Sequence, residues 1–251
     1  MASPVAPTPA PLPDDLSLRA DLSRREVDSP EPATWHPAGQ TGVHRRLLDR
    51  QGGEVARATS VVRYDPGARF PAHRHGGGEE ILVLQGTFED EHGAHPAGTY
   101  LRNPPGSAHA PFSQAGCLLF VKLCHFGPGD TASVRIDTRA TPWRPGLVPG
   151  LSVMPLHEHD GVHTALVRWA PDTRFNRHVH PGGEEILVLQ GTFEDEHGRY
   201  PAGTWLRNPC WSEHTPFTGP DGALILVKTG HLGGASAAPD RHTNTSGNMD
   251  L

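Results

Sequence analysis

The sequence predicts an all-β protein made of two similar domains. Three observations support this prediction: one block of the chain occurs twice, short runs of strand-forming residues alternate with turn signals, and helix-period patterns of apolar residues are hard to find. The chain has 251 residues, including 29 glycines and 26 prolines. That length exceeds the usual size of a single domain, and so much glycine and proline disfavours helices.

The internal repeat has a spacing of 105 residues: residues 77–93, GGEEILVLQGTFEDEHG, are identical to residues 182–198. The motifs PAGT and LRNP recur at the same offset, whereas the upstream flanks match only loosely. Self-similarity at a fixed spacing indicates a duplicated structural unit. The identity is concentrated around a group of histidines, which indicates either a constrained block or a recent gene conversion.

Strand-forming residues dominate four short runs of the first copy: ARATSVVRY at 56–64, EEILVLQGTF at 79–88, TYLRN at 99–103 and CLLFVKL at 117–123. These runs are rich in β-branched, aromatic and aliphatic residues. The turn signals DPG, EDEHG, PAG, NPPG and SQAG punctuate this part of the chain. Short strands at this spacing are typical of a sandwich or a small barrel.

The repeat and the composition also predict the domain boundaries. We expect a first domain at residues 16–130 and a second at 131–235, joined by a short linker around 127–130. Residues 1–15 are rich in proline and alanine, and residues 236–251 are polar. Neither end has much to bury, so both are expected to be disordered.

The composition excludes several classes of partner and location. A net charge of -6 without a run of lysine and arginine gives no footprint for nucleic acid. No apolar stretch approaches the roughly 20 residues of a membrane span, and the N-terminus lacks the features of a secretion signal. An odd number of cysteines, three, does not suit a disulfide framework. We therefore expect a soluble cytoplasmic protein with free, buried thiols and a small molecule as its ligand or substrate.

Each copy contains three histidines and one glutamate in a pattern typical of a metal site. His73 and His75 are two residues apart on a predicted strand and therefore point to the same face. Glu79 begins the next predicted strand, and His109 follows the turn after RNP. The same set recurs in register in the second copy, as His178, His180, Glu184 and His214.

An HxH pair alone is often a surface feature, but a second set in register makes coincidence much less likely. Three imidazoles and a carboxylate suit a divalent transition metal, namely Fe(II) or Zn(II), with Mn(II) and Ni(II) as further candidates. The sequence therefore predicts up to two such ions in each chain.

The order of these residues resembles the two signature motifs of the cupin superfamily. The first motif is G-x5-H-x-H-x3-E-x6-G from Gly67 to Gly86, and the second is G-x5-P-x-G-x2-H from Gly98 to His109. More narrowly, GGEEILVLQGTFEDEHG, PAGTYLRNPPGSAHAPF and GCLLFVKL look like the ChrR-type cupin, the metal-binding domain at the end of certain zinc-dependent anti-sigma factors. The resemblance implies a tandem bicupin of two antiparallel jelly-roll barrels, each holding one divalent metal on the four residues named above.

The second copy departs from this pattern at a few positions. Asp172 stands at the position of Gly67, and Cys210 and Trp211 replace a Pro-Gly pair that ends at Gly106. These departures make the second copy the candidate for a degenerate scaffold. Trp211 either narrows the cavity, stacks on a substrate ring or packs beside a turn, and ordinary packing is the commonest of these roles.

Two functions are compatible with the resemblance. Related stand-alone cupins include dioxygenases that cleave carbon–carbon bonds of diketones or hydroxyaryl ketones, which implies a non-haem metal enzyme. A closed tetrahedral zinc site would instead be structural, as expected of a non-catalytic ChrR-like sensor or regulatory protein. Direct sigma-factor binding is not expected, because those anti-sigma factors carry a separate N-terminal zinc-binding helical domain and no such His and Cys pattern precedes residue 16. Because cupin barrels pair through edge strands, a homodimer and a monomer are both compatible with the resemblance.

Overall fold

The structure, a computed structural model, describes residues 12–53 and 56–233. The tail predicted to be disordered, residues 236–251, lies outside the described residues, as do residues 1–11 of the predicted N-terminal segment. Every regular element within the described ranges is a strand. None of the described residues forms a helix of the length and hydropathy that crossing a membrane requires.

The described part of the chain forms 21 strands. The first eleven are β1 (Ser17–Leu18), β2 (Glu26–Asp28), β3 (His36–Pro37), β4 (Val43–Gln51), β5 (Arg57–Tyr64), β6 (His73–Arg74), β7 (Glu79–Asp90), β8 (Gly93–Pro96), β9 (Thr99–Asn103), β10 (Ala108–His109) and β11 (Cys117–Leu123). The others are β12 (Val134–Asp137), β13 (Arg144–Pro145), β14 (Leu151–His159), β15 (Val162–Trp169), β16 (His178–His180), β17 (Glu184–Asp195), β18 (Gly198–Pro201), β19 (Trp205–Asn208), β20 (Ser212–His214) and β21 (Ala223–Thr229).

Each copy of the repeat forms an antiparallel jelly-roll barrel. In the first, the main sheet has the order β1-β4-β5-β11-β7-β9-β12, and β6 pairs with β10 in a small separate sheet. In the second, the order is β13-β14-β15-β21-β17-β19-β2, and β16 pairs with β20. The pairs that surround the predicted ligands are antiparallel. The prediction of an all-β protein with two tandem jelly-roll barrels is therefore confirmed.

The two compact units do not follow the order of the chain. Among the described residues, the first contains residues 12–21, 28–53 and 56–142, and the second contains residues 22–27 and 143–233. Strand β12 lies in the first unit because it pairs with the edge of β9, although the boundary expected at residue 130 assigns it to the second domain. Strand β2 in turn pairs with β19 of the second unit.

Strand β7 carries both core residues and one of the predicted ligands. Ile81, Val83 and Phe88 belong to one buried cluster and are at most 2% exposed. The pairing of β11 with β7 shifts in register between Leu118 and Leu119. Such a bulge adds one residue to one strand. After it, even-numbered residues of β7 face the core instead of odd-numbered ones, and the inner face therefore includes Asp90.

Candidate metal centres

The structure brings the four predicted ligands of the first copy together. One ligand atom of each residue lies within 4.8 Å of the others. His75 Nε2 is 3.2 Å from His73 Nε2 and 3.4 Å from Glu79 Oε2, and His109 Nε2 is 3.6 Å from the same carboxylate oxygen. The pairing of β6 with β10 places His73 opposite His109, so the small sheet brings the distant histidine to the HxH pair.

The second copy forms a similar cluster. The ligand atoms of His178, His180 and His214 lie within 4.8 Å of one another. Glu184 lies beside this group, with Oε1 3.5 Å from His180 Nε2 and Oε2 3.7 Å from His214 Nε2. All eight predicted ligands therefore lie in two groups, and the glutamate of the second group contacts two of its three histidines.

Hydrogen bonds behind the first HxH pair fix the tautomer of both imidazoles. His73 Nδ1 donates to the carbonyl oxygen of Pro71 at 2.9 Å. His75 Nδ1 is 3.1 Å from Ser107 Oγ, and that hydroxyl donates its own hydrogen to the carbonyl of Pro104. The serine oxygen therefore accepts from the imidazole. A neutral imidazole with a proton on Nδ1 has a lone pair on Nε2, so both Nε2 atoms offer lone pairs to the site.

His109 contributes the third lone pair of the first cluster. Its Nδ1 is 3.4 Å from Asp90 Oδ2, and its buried Nε2 has no hydrogen-bond partner among the described residues. Asn103 Nδ2 donates to Glu79 Oε2 at 3.0 Å. A buried nitrogen without a partner is costly, whereas three imidazole lone pairs and a carboxylate are a donor set for a divalent transition metal. The residues of the first cluster therefore fit such an ion.

Equivalent residues support the second cluster. His178 Nδ1 donates to a backbone carbonyl two residues earlier at 2.9 Å, and His214 Nδ1 is 3.5 Å from Asp195 Oδ2. Asn208 Nδ2 donates to Glu184 Oε2 at 2.9 Å. Carboxylate and amide partners of this kind orient metal-ligating side chains. The second cluster fits the same class of ion.

Burial and acidic partners move the pKa values of these histidines in opposite directions. Burial lowers the pKa of His75, and it lowers the pKa of His178 to about 4. Burial also lowers the pKa of His109. The hydrogen bond to Asp90 and the charge of Glu79 oppose this effect, and the pKa of His109 is raised overall. Burial opposes ionisation of Asp90, yet hydrogen bonds from His109 and a second histidine hold the pKa of that carboxyl well below its usual range. Asp90 is therefore a carboxylate at neutral pH, the form that supports a metal-ligating histidine.

Comparison with known families shows to which family the chain belongs. The profile described as the ChrR cupin-like domain matches it twice, over residues 23–127 and 131–233. The chain belongs to the ChrR cupin-like domain family. Both clusters lie inside the matched segments of this ChrR cupin-like protein. No curated protein matches its sequence.

Solved structures with the fold of this ChrR cupin-like chain share little of its sequence. A Nostoc punctiforme protein described as a "putative dioxygenase" has a TM-score of 0.71 at 15% identity, covering 87% of this chain and 88% of that chain. Lactobacillus farciminis oxalate decarboxylase, in a formate complex, has a TM-score of 0.58 at 14% identity, covering 87% and 88%. The Escherichia coli pirin YhhW, in complex with nickel(II), has a TM-score of 0.58 at 15% identity, covering 82% and 99%. At such identities the likeness establishes the fold alone.

The residues behind the ligands were not predicted from the sequence. They are Asp90, Asn103 and Ser107 in the first unit and Asp195 and Asn208 in the second. The aspartates and the asparagines are each separated by the repeat spacing of 105 residues. The repeat therefore contained a signal for these four, although it did not distinguish them from other repeated polar residues.

Two expectations about individual residues need correction. Trp211 is 53% exposed and has a φ of 64°, so ordinary packing does not account for its side chain. Its backbone N–H donates to the carbonyl of His180 at 2.8 Å, next to a predicted ligand. All three cysteines are free, as predicted, but only Cys117 is buried; the other two are half-buried because they lie in loops beyond the strands.

Proposed function

We propose that this ChrR cupin-like chain is a metal-dependent enzyme of the non-haem dioxygenase type, with a small diketone or hydroxyaryl ketone as substrate. The observation that carries the proposal is the convergence of three imidazole lone pairs and one carboxylate in the first unit, with a similar group in the second. An ion that prefers six ligands, such as Fe(II), Mn(II) or Ni(II), would keep two positions open for a substrate and O₂ beside four protein donors.

Aromatic side chains pack against ligands of both clusters. The ring of Phe70 is centred 5.2 Å from that of His73, and the ring of Phe88 is centred 5.9 Å from that of His109. In the second unit Phe175 is centred 4.9 Å from His178. Apolar surroundings of this kind would keep bulk water away from reacting groups, and they suit the carbon skeleton of an uncharged ketone. This environment favours an apolar oxygenase substrate over a highly charged one.

Oxygen consumption tests the proposal directly. Protein stripped of metal is loaded separately with Fe(II), Mn(II), Ni(II) or Zn(II) and mixed with pentane-2,4-dione or 2-hydroxyacetophenone under air. We expect one of the first three ions to support O₂ uptake that matches the loss of substrate. The double variant H75A/H180A should consume no oxygen, and His92→Ala, an exposed histidine of a turn, should behave like the wild type. Failure of every ion with both substrates would overturn the proposed reaction.

A non-catalytic zinc protein is the second candidate. The family match to the ChrR cupin-like domain favours it, because three histidines and one glutamate complete a tetrahedral zinc site without an open position. Stoichiometric zinc that resists exchange, together with no O₂ uptake after loading with the other ions, would favour this sensor or regulatory role over catalysis.

We also propose a cytoplasmic location. The three free cysteines support it, since thiols persist in reducing compartments.

Asp90→Asn tests the support behind the first cluster. The amide keeps the shape of the carboxylate but removes the charge that orients His109 and raises its basicity. Changes in such outer partners typically cost about 10–100-fold in metal affinity, and we expect a loss in that range at the first site. Competition with a chelator would measure it. Asp195→Asn should produce the corresponding loss at the second site, and equal effects of either variant on both sites would contradict the assignment.

A further inference from the structure

Two arginines contact the asparagines that hold the glutamates of the clusters. Arg25 Nε donates to Asn208 Oδ1 at 3.0 Å, and Arg135 Nη2 donates to Asn103 Oδ1 at 2.8 Å. In each asparagine the amide nitrogen donates to the glutamate of the same cluster. Because the oxygen and the nitrogen of the amide are both engaged, the side chain cannot flip without losing both bonds. The arginine thus fixes the group that orients the carboxylate.

Arg25 also contacts the residue behind the histidine of the second cluster. Its Nη2 is 3.5 Å from Asp195 Oδ2 and also donates to the hydroxyl of Tyr200, whose ring lies 5.3 Å from the guanidinium carbon. Tyr200 in turn donates to Asp195 Oδ1 at 2.7 Å. One side chain, 28% exposed, therefore contacts the partners of both Glu184 and His214. A planar guanidinium with several donors is suited to such a position.

The first cluster is supported differently. Asp90 is in contact with His95, at 3.2 Å, instead of an arginine. Arg135 is an exposed residue that contacts Asn103 and the carbonyl oxygen of Arg102. Arg135 should contribute less to metal affinity at the first site than Arg25 does at the second. Solvent screens its charge, and Arg135 contacts one of the two supporting side chains instead of both.

Each of the two arginines lies in the family match of one copy of the repeat but in the compact unit formed mainly by the other copy. Arg25 lies in the first family match, residues 23–127, but in the segment Leu22–Val27 of the second unit. Arg135 lies in the second match, residues 131–233, but in strand β12 of the first unit. Each matched segment therefore contributes the arginine that serves the cluster of the other.

We propose that Arg25 is a positioning residue for the second metal site and that Arg135 has the same role, with a smaller effect, at the first. This inference rests on the proposed metal binding. Without Arg25, Asn208 and Asp195 lose a shared hydrogen-bond donor and hold Glu184 and His214 less firmly. The binding of an ion must then also order these two ligands, which weakens the binding. We expect Arg25→Ala to weaken Co(II) binding at the second site on the order of tenfold, the lower end of the effect of outer partners.

Co(II) titration of single-site proteins measures this effect separately at each site. The His75→Ala background retains only the second site, and the His180→Ala background retains only the first. Arg25→Ala in the His75→Ala background should show the weaker binding and an altered visible Co(II) spectrum. The same change in the His180→Ala background should leave the Co(II) affinity unchanged. Arg135→Ala should show the reverse pattern with a smaller loss.

Two further variants separate positioning from general destabilisation. Arg24→Ala removes the exposed neighbouring arginine and should leave both affinities unchanged. Arg25→Lys keeps the charge but not the forked donors, so it should recover only part of the affinity, and it replaces Arg25→Ala if that protein does not fold. Unchanged affinity at the second site, or equal losses at both sites, would overturn the inference. Absence of Co(II) binding to the His75→Ala protein would instead overturn metal binding at the second site itself.

Discussion

His109→Ala is expected to remove one equivalent of metal from each chain, leaving the second site loaded. Nε2 of His109 has no hydrogen-bond partner among the described residues, and without His109 an ion at the first site would have three protein donors instead of four and would dissociate more readily. The folded state should survive, because the main loss apart from the metal is one hydrogen bond to Asp90, about 1.5–3 kcal/mol for a bond to a charged group. Elemental analysis of protein purified without added metal or chelator gives the count.

Matched variants complete this experiment. His214→Ala should remove the other equivalent, and the double variant should hold none. His92→Ala, in an exposed turn, should retain both equivalents. If His109→Ala keeps its full metal content with an intact circular dichroism spectrum, the first cluster is not the metal site.

Gly86→Ala is expected to destabilise the first barrel by more than the conformational cost of an alanine alone. A Cβ at Gly86 would lie 2.1 Å from the carbonyl oxygen of Gly116, and the φ of 71° is unfavourable for any other residue. The left-handed conformation costs roughly 1–2 kcal/mol, and overpacking against a backbone atom adds about 1–3 kcal/mol. The midpoint of urea unfolding, followed by circular dichroism, should therefore fall clearly below that of the wild type.

Gly67→Ala is the control for this substitution. Gly67 has a similar φ of 80°, but nothing lies within 4 Å of an added Cβ. Its counterpart in the second copy, Asp172, occupies the same kind of conformation with a φ of 53°. We expect Gly67→Ala to cost only the conformational part, about 1–2 kcal/mol. Equal midpoints for the two variants would show that the close approach at Gly86 is relieved at no cost.

The strands were the most predictable part of the structure. The run TYLRN is observed as Thr99–Asn103 and CLLFVKL as Cys117–Leu123, because strand propensity and turn signals are local properties. The run EEILVLQGTF continues two residues further, to Asp90. The strand therefore extends past Phe88, its last strongly apolar residue, to Asp90, whose carboxylate contacts His109.

The clustering of the candidate ligands was predictable because most of them are close in sequence. The HxH pair and Glu79 lie within seven residues, and the alternation of side chains along a strand places both histidines on one face. His109 was assigned from its place after the turn that follows RNP and from its repeat as His214, and the pairing of β6 with β10 is the physical reason for its position in the cluster.

The supporting residues could not be predicted from the sequence, for a different reason. Ile81 and Val83 face the core at odd-numbered positions, so simple alternation places Asp90 on the outer face of β7. The bulge opposite Leu118 and Leu119 reverses that alternation. A bulge arises from the pairing of two strands that are distant in sequence, so the pattern of β7 alone does not contain it.

The sequence by itself determined the duplicated all-β architecture, the strands and the identity of the candidate ligands, because these follow from local propensity, periodicity and a repeat in register. Only the tertiary structure decided which side chains hold those ligands in place. It brought Asp90 to His109 through a bulge and Arg25 to Asn208 across more than half of the chain. Such contacts depend on which strands become neighbours in the folded sheet, and strand order is a property of the whole barrel.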